Sequence, residues 1–260
     1  ADAQAALAGL AVDPKEGTTL YDSLVQSARA LGDETNAGRV LIAPASRAVR
    51  PPANKLVFFP LGLPPAARCY LDTGESQPEL AGALTFRIEV TGRAAHGSTR
   101  GEGVSAFEAF WPLHLALRSL EARRNTDLHP LFGDNPLPYG ISIGTVHAGD
   151  WASSVPDLLV AEGRMGVRLG EDPAQARLAL EETISDAAAA DPWLRHHEPR
   201  VTWPGGQFAS GQLADEHPLI GEVAGAVEAV TGIRPAEAAA PHGSDLRLYS
   251  GIGGIPTLHY

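Results

Sequence analysis

The stretch GRAAHGS, residues 92–98, sets a histidine between glycines directly behind an alternating segment, ALTFRIEV. Gly92 and Gly97 let the backbone stop and turn there. His96 and Ser98 then form either an ordinary polar loop or a tip that carries an imidazole to a reacting carbonyl. An imidazole suits the second task because it donates and accepts protons near neutral pH. The other histidines do not gather at metal-ligand spacing. His196 and His197 are neighbours, so their side chains diverge, His147 and Asp150 stand at a strand end, and His259 falls inside a predicted strand. Core or surface places are expected for all of these. Cys69 is the only cysteine, which excludes an intrachain disulfide and a thiolate metal cluster.

The elements that must position His96 are legible from residue 83 onward. Leu84, Phe86, Ile88 and Val90 alternate with Thr85, Arg87, Glu89 and Thr91, the period of a half-buried strand. Phe107, Phe110, Trp111, Leu113, Leu117 and Leu120 then make a helical stripe, within which Pro112 predicts a kink or a late start. YGISIGTVHAG and DLLVAEGRMGVRL read as two strands. Asp172 and Pro173 open a second helix as N-cap and first residue, and PRVTWPGG reads as a last strand. The order β-α-β-β-α-β across 83–204 predicts a ferredoxin-like split βαβ unit.

The flanks read differently. In residues 1–82, a helix is expected over 20–31 and short strands at GRVLIAPAS and KLVFF, the latter pushed to an edge by its flanking prolines. Residues 205–260 predict a helix ending at Gly232, the loop PHGSDLRLYSG with Ser244 as a helix cap and Asp245 beside the dipole, and a strand at IPTLHY. The α/β fold class follows, with 83–204 inserted into a layered domain built from 1–82 and 205–260. A net charge of −11 argues against a nucleic-acid partner. No apolar run reaches the roughly 20 residues of a membrane helix, and the N-terminal residues lack a signal-peptide pattern. The expectation is a cytoplasmic protein.

Three segments, GALTFRIEVTGRAAHGS, ISIGTVHAGDWASSVPD and HGSDLRLYSGIGGIPTLHY, together resemble the dinuclear zinc aminoacylase/carboxypeptidase family, which includes acetylornithine deacetylase and succinyl-diaminopimelate desuccinylase. The resemblance covers about 82–260, with the motifs in the family's order. It implies that 83–204 is a lid that dimerises, between two parts of a catalytic domain, and that the substrate is a small molecule or peptide. It implies further that His96 helps hold the oxyanion in a partner's active site. Arg168 would bind a substrate carboxylate through its bidentate fork, although a surface ion pair is an equal alternative. Gly243 and Ser244 would offer donors to substrate, and Ser153 stands where the family has an asparagine.

The resemblance also implies zinc, and here the sequence departs from the family. Residues 1–82 contain no histidine, hence no His-x-Asp, and no Glu-Glu pair. The family's last ligand lies beyond the strand that reaches Tyr260. Asp72 or Glu75 falls near the place of one carboxylate ligand, but DTGE is also a good turn. One carboxylate holds no catalytic zinc. Two functions therefore stand side by side. One is a deacylase or peptidase acting on N-acyl amino acids or small peptides, lacking most of its metal ligands. The other is a catalytically silent dimerisation or small-molecule-binding module without metal. A metal-free hydrolase using Ser244, His242 or His96 finds no nucleophile-elbow motif to support it.

Overall fold

The computed structural model describes residues 75–260 and the backbone of two earlier strands, β1 (Arg39–Ile42) and β2 (Lys55–Phe58), which pair in parallel. The helix expected over 20–31 and the candidate ligand Asp72 lie outside the described residues. The chain continues through β3 (Ser76–Leu80), β4 (Gly82–Thr91), β5 (Ala95–His96), α1 (Ala106–Arg124), β6 (Ile141–Ala148), β7 (Ser154–Val155) and β8 (Leu158–Val167). After these come α2 (Pro173–Ala190), β9 (Arg200–Thr202), β10 (Gln207–Phe208), β11 (Gly211–Gln212), α3 (Pro218–Thr231) and β12 (Glu237–Ala240).

β4 shows the burial its alternation predicts: Leu84, Phe86, Ile88 and Val90 are buried, with Thr85, Arg87 and Glu89 half-buried between them. It pairs antiparallel with β8 along its whole length, from Gly82 opposite Val167 to Thr91 opposite Leu158. β6 lies beyond β8, and β9 and β10 share the other side of β4, so the order is β6-β8-β4-β9. With α1 and α2 packed on this sheet, residues 82–202 form the ferredoxin-like unit expected of the pattern. One core unites Leu84, Phe86 and Ile88 with Leu113 and Leu117 of α1 and Leu180 and Ile184 of α2.

Both helices start where their caps dictate. The Asp172 carboxylate accepts the Ala174 amide at 2.8 Å ahead of Pro173, and Ser105 accepts the Glu108 amide at 3.3 Å. α1 corrects two expectations. It runs unbroken through Pro112 from Ala106. Pro112 leaves only the Glu108 carbonyl without an amide to accept from, and Glu108 lies on the exposed side. The apolar stripe also divides in two: Phe110, Leu113, Leu117 and Leu120 face the core, whereas Phe107 and Trp111 are 54% and 56% exposed.

Buried charges lock the base of this sheet. Arg124 meets Glu171 at 2.5 Å and donates to the Gly166 carbonyl at 2.9 Å. The buried Glu121 carboxylate accepts the first amide of β6, from Ile141, at 2.6 Å. These pairs satisfy groups that would otherwise be costly to bury.

β3, buried along its length, anchors the remaining layer between β11, antiparallel, and β12, parallel. α3 ends at Gly232, whose φ of 76° gives the left-handed cap expected of it. The strand expected at IPTLHY reduces to a single bridge, between His259 and Gln77. Pro256 removes an amide donor from that segment, which shortens any ladder it joins.

Candidate functional site

The tip that carries His96 is built from close backbone approaches. A Cβ on Gly92 would come within 2.2 Å of the Val104 carbonyl oxygen, so only glycine lets the chain leave β4 there. Arg93 then exchanges backbone hydrogen bonds with Val104. β5 pairs with β7, setting His96 opposite Ser154, and the Gly97 amide donates to the Ser153 carbonyl at 2.6 Å. The Ser153 backbone thus lies beside the His96 tip.

Hydrogen bonding assigns the His96 tautomer. Its Nδ1 accepts the Ser98 amide at 3.2 Å and lies 2.7 Å from the Ser98 hydroxyl. The proton therefore resides on Nε2. That N–H has no partner among the described residues and points from an exposed ring. It is a free, oriented donor. A neighbour that sequence reasoning passed over stands beside it: the Trp151 ring lies 5.4 Å from the imidazole, tilted by 53°.

A cleft of about 380 Å³ opens behind the tip, between the start of α1 and Trp193. Its charged groups are already engaged. Arg100 pairs with Glu108, and Asp191 accepts the amides of Trp193 and Leu194 at 2.8 and 2.9 Å.

The other predicted residues stand at the opposite end of the sheet. Arg168 follows Val167, which pairs with Gly82, whereas His96 lies past Thr91 at the far end. Nine strand steps put these ends about 30 Å apart. Arg168 donates to the Asp127 carbonyl at 3.1 Å and lies over the Tyr139 ring, at 5.8 Å from its centroid. Neither an ion pair to its guanidinium nor a free fork is seen among the described residues.

The loop after β12 occupies the same end. The Ser244 hydroxyl accepts the Leu246 amide at 3.0 Å, a turn contact. The short helix that follows, Arg247–Ile252, has Leu246 at its N-cap without a side-chain capping bond, which corrects the expectation of Ser244 as its cap. A Cβ on Gly243 would lie 2.7 Å from that of Phe208, so the glycine is required by packing. Arg164 of β8 ties this loop to the sheet by donating to the Pro241 carbonyl at 2.7 Å.

Two histidines converge here. The rings of His242 and His259 are 6.4 Å apart, and both nitrogens of His242 and Nε2 of His259 are shut off from solvent without a hydrogen-bond partner. Burial depresses both, with Arg164 adding to the effect at His242; His259 is pushed down to about 4. Nearby, the Glu79 carboxylate of β3 is buried, lies 3.0 Å from His129 Nδ1, and is held above the usual carboxylate range by desolvation. Among the described residues, no three His, Cys, Asp or Glu side chains converge as a metal site.

Residues 79–192 match the model of the M20 peptidase dimerisation domain. Solved structures share the fold. An amidase of the hydantoinase/carbamoylase family from Burkholderia phymatum is 16% identical with a TM-score of 0.55, covering 94% of this chain and 54% of its own. A di-peptidase from Saccharomyces cerevisiae is 10% identical with a TM-score of 0.56, covering 71% of this chain and 48% of its own. A tripeptidase from Staphylococcus aureus is 16% identical with a TM-score of 0.51, covering 71% and 44%. The chain thus spans about half the length of the solved structures it matches. No curated protein sequence matches it.

Proposed function

We propose that this chain is the lid and part of the catalytic layer of a homodimeric hydrolase, which cleaves the amide bond of N-acyl amino acids or small peptides. The observation that carries the reading is His96, an oriented Nε2–H donor on an exposed tip, about 30 Å from the loop at Gly243 and Ser244. Within one chain the two cannot meet. A second copy brings the tip of one protomer to the loop of the other.

As attack on the amide carbonyl proceeds, negative charge gathers on its oxygen. The His96 Nε2–H donates to that oxygen, an interaction worth about 3 kcal/mol at the transition state. Arg168, Gly243, Ser244 and Ser153 are the proposed substrate contacts. Ser244 spends its oxygen on its own backbone and would meet substrate through its hydroxyl hydrogen.

The dimer surface is the outer face of α1 with the free edge of β6. Phe107, Trp111 and Leu115, each just over half exposed, repeat every four residues and so form one stripe. Thr145, Val146, His147 and Ala148 are exposed along the neighbouring strand. No described helix is long and apolar enough to cross a membrane, and we place the protein in the cytoplasm on the sequence argument above.

Zinc is the metal the family resemblance implies. The described residues do not fit it, since a catalytic zinc takes three protein ligands and an open position. The ligands are proposed to lie outside the described residues, with Asp72 as one candidate. That mismatch also favours a second reading, a dimerisation or binding module that holds no metal.

One experiment separates the readings. Metal content and hydrolysis of N-acetylated amino acids are measured on the full-length protein, before and after chelation. Bound zinc with chelator-sensitive turnover supports the hydrolase. Dimers with no metal and no turnover support the module and sink the first reading.

A further inference from the structure

We propose that Trp151 is a specificity-determining residue of the same site, forming with His96 an exposed aromatic surface for a flat apolar group next to the scissile carbonyl. The proposal rests on the reading of His96 as the donor to that carbonyl.

Exposure is the first observation. Trp151 is 60% exposed, among the most open of the large apolar side chains described. Its neighbours in that class have another explanation. Phe107, Trp111 and Leu115 line the outer face of α1, and Val146 lies on the edge of β6. Trp151 stands past the end of β6, beyond the left-handed turn at Gly149. Its indole N–H has no partner among the described residues. The ring is open to a partner beyond the described residues.

Rigidity is the second observation. The Trp151 carbonyl accepts both the amide and the hydroxyl of Ser154, at 3.1 and 2.7 Å. Ser154 is the residue paired with His96 across the β5–β7 ribbon. Ser98 fixes the imidazole from the other side. The backbone under both rings is thus held by one small ribbon, and Ser98 holds the imidazole, so the indole torsions are what is left to order when a ligand arrives. An indole needs only two side-chain torsions fixed, which keeps that cost low.

Geometry then sets the ligand class. With centroids 5.4 Å apart and planes tilted by 53°, the two rings touch and present one joint exposed surface. A substrate carbonyl oxygen bonded to His96 Nε2–H would lie beside Trp151, whose ring is 5.4 Å from the imidazole. Aromatic and other flat apolar groups match the indole by area and by edge or offset stacking. Either the acyl group or the side chain on the amine side satisfies the distance.

The test uses the full-length dimer and three substrates: N-acetylglycine, N-benzoylglycine and N-acetylphenylalanine. For wild type, kcat/KM should favour at least one aryl substrate over N-acetylglycine. W151A should lower that ratio about tenfold, mainly through KM, while W151F retains it within about threefold. Light scattering follows the dimer in each variant. An unchanged ratio in W151A overturns the inference and leaves the proposed hydrolase standing. Loss of the dimer in W151A overturns it by making Trp151 an interface residue. No amide turnover by wild type overturns both.

Discussion

The two imidazoles at the C-terminal end of the chain carry a measurable consequence. His242 and His259 are both held neutral by burial, His259 down to about 4. In the unfolded chain each titrates near about 6.5. As pH falls below that value the unfolded state takes up protons that the folded state refuses. Stability is therefore full near pH 7 and above, and drops as pH falls from about 6.5 toward 4, by on the order of 3 kcal/mol for His259. Urea midpoints at pH 7 and pH 5 should show the loss, and His259→Phe should shrink it. An acid limb as steep in the variant as in wild type would place the effect elsewhere. At this scale the sequence was readable only where chemistry and local backbone coincide. His96 stands out because glycines flank it. Trp151 does not, because its meeting with His96 depends on pairing between segments more than fifty residues apart. Glu79 and His129 meet for the same kind of reason, across a strand and a distant loop.

At the scale of elements, α1 shows both what periodicity reveals and what it conceals. A helical repeat of apolar residues identifies the helix, and the Ser105 cap explains its start. The repeat does not say that the helix has two apolar faces. Phe107 and Trp111 read as part of the one stripe because periodicity is blind to which side the sheet lies on. Their exposure makes a prediction: Trp111→Glu, or Phe107→Glu, should convert dimers to monomers by light scattering while far-UV circular dichroism stays unchanged. A dimer that survives both changes would move the interface off this face. The strands were legible for the opposite reason. β4 buries alternate residues on one face only, so its period and its orientation are the same information. IPTLHY shows the converse, apolar composition without the ladder that Pro256 interrupts.

The described residues are ordered by the length of β4 and β8, ten residues each. Their full antiparallel register holds the His96 tip and the Gly243–Ser244 loop at opposite ends. The proposed division of one site between two copies has a direct test. His96→Ala and Gly243→Val should each abolish turnover in the full-length protein. Mixed and allowed to exchange, they should recover up to about a quarter of wild-type activity, because half the dimers are hybrids and each hybrid has one intact site. No recovery, with hybrids shown to form, would place His96 and Gly243 in the same site of one chain or in none. The ferredoxin-like unit was legible as a whole because its βαββαβ order leaves few ways to pair the strands. The surrounding layer was not, since β3, β11 and β12 are short and come from distant parts of the chain.

The two margins of the lid sheet are unequal. One is the open run of β6; the other is broken between β9 and β10, three and two residues long. Such a particle has a valence of one. If two copies meet along β6, as proposed, neither keeps a continuous margin of this sheet among the described residues to recruit a third, and growth should end at the pair. A sheet with two unbroken margins would polymerise, as edge strands are prone to do. The interruption opposite β6 thus acts as a chain terminator, and concentrating the protein should raise the fraction of pairs without ever producing a ladder of higher masses.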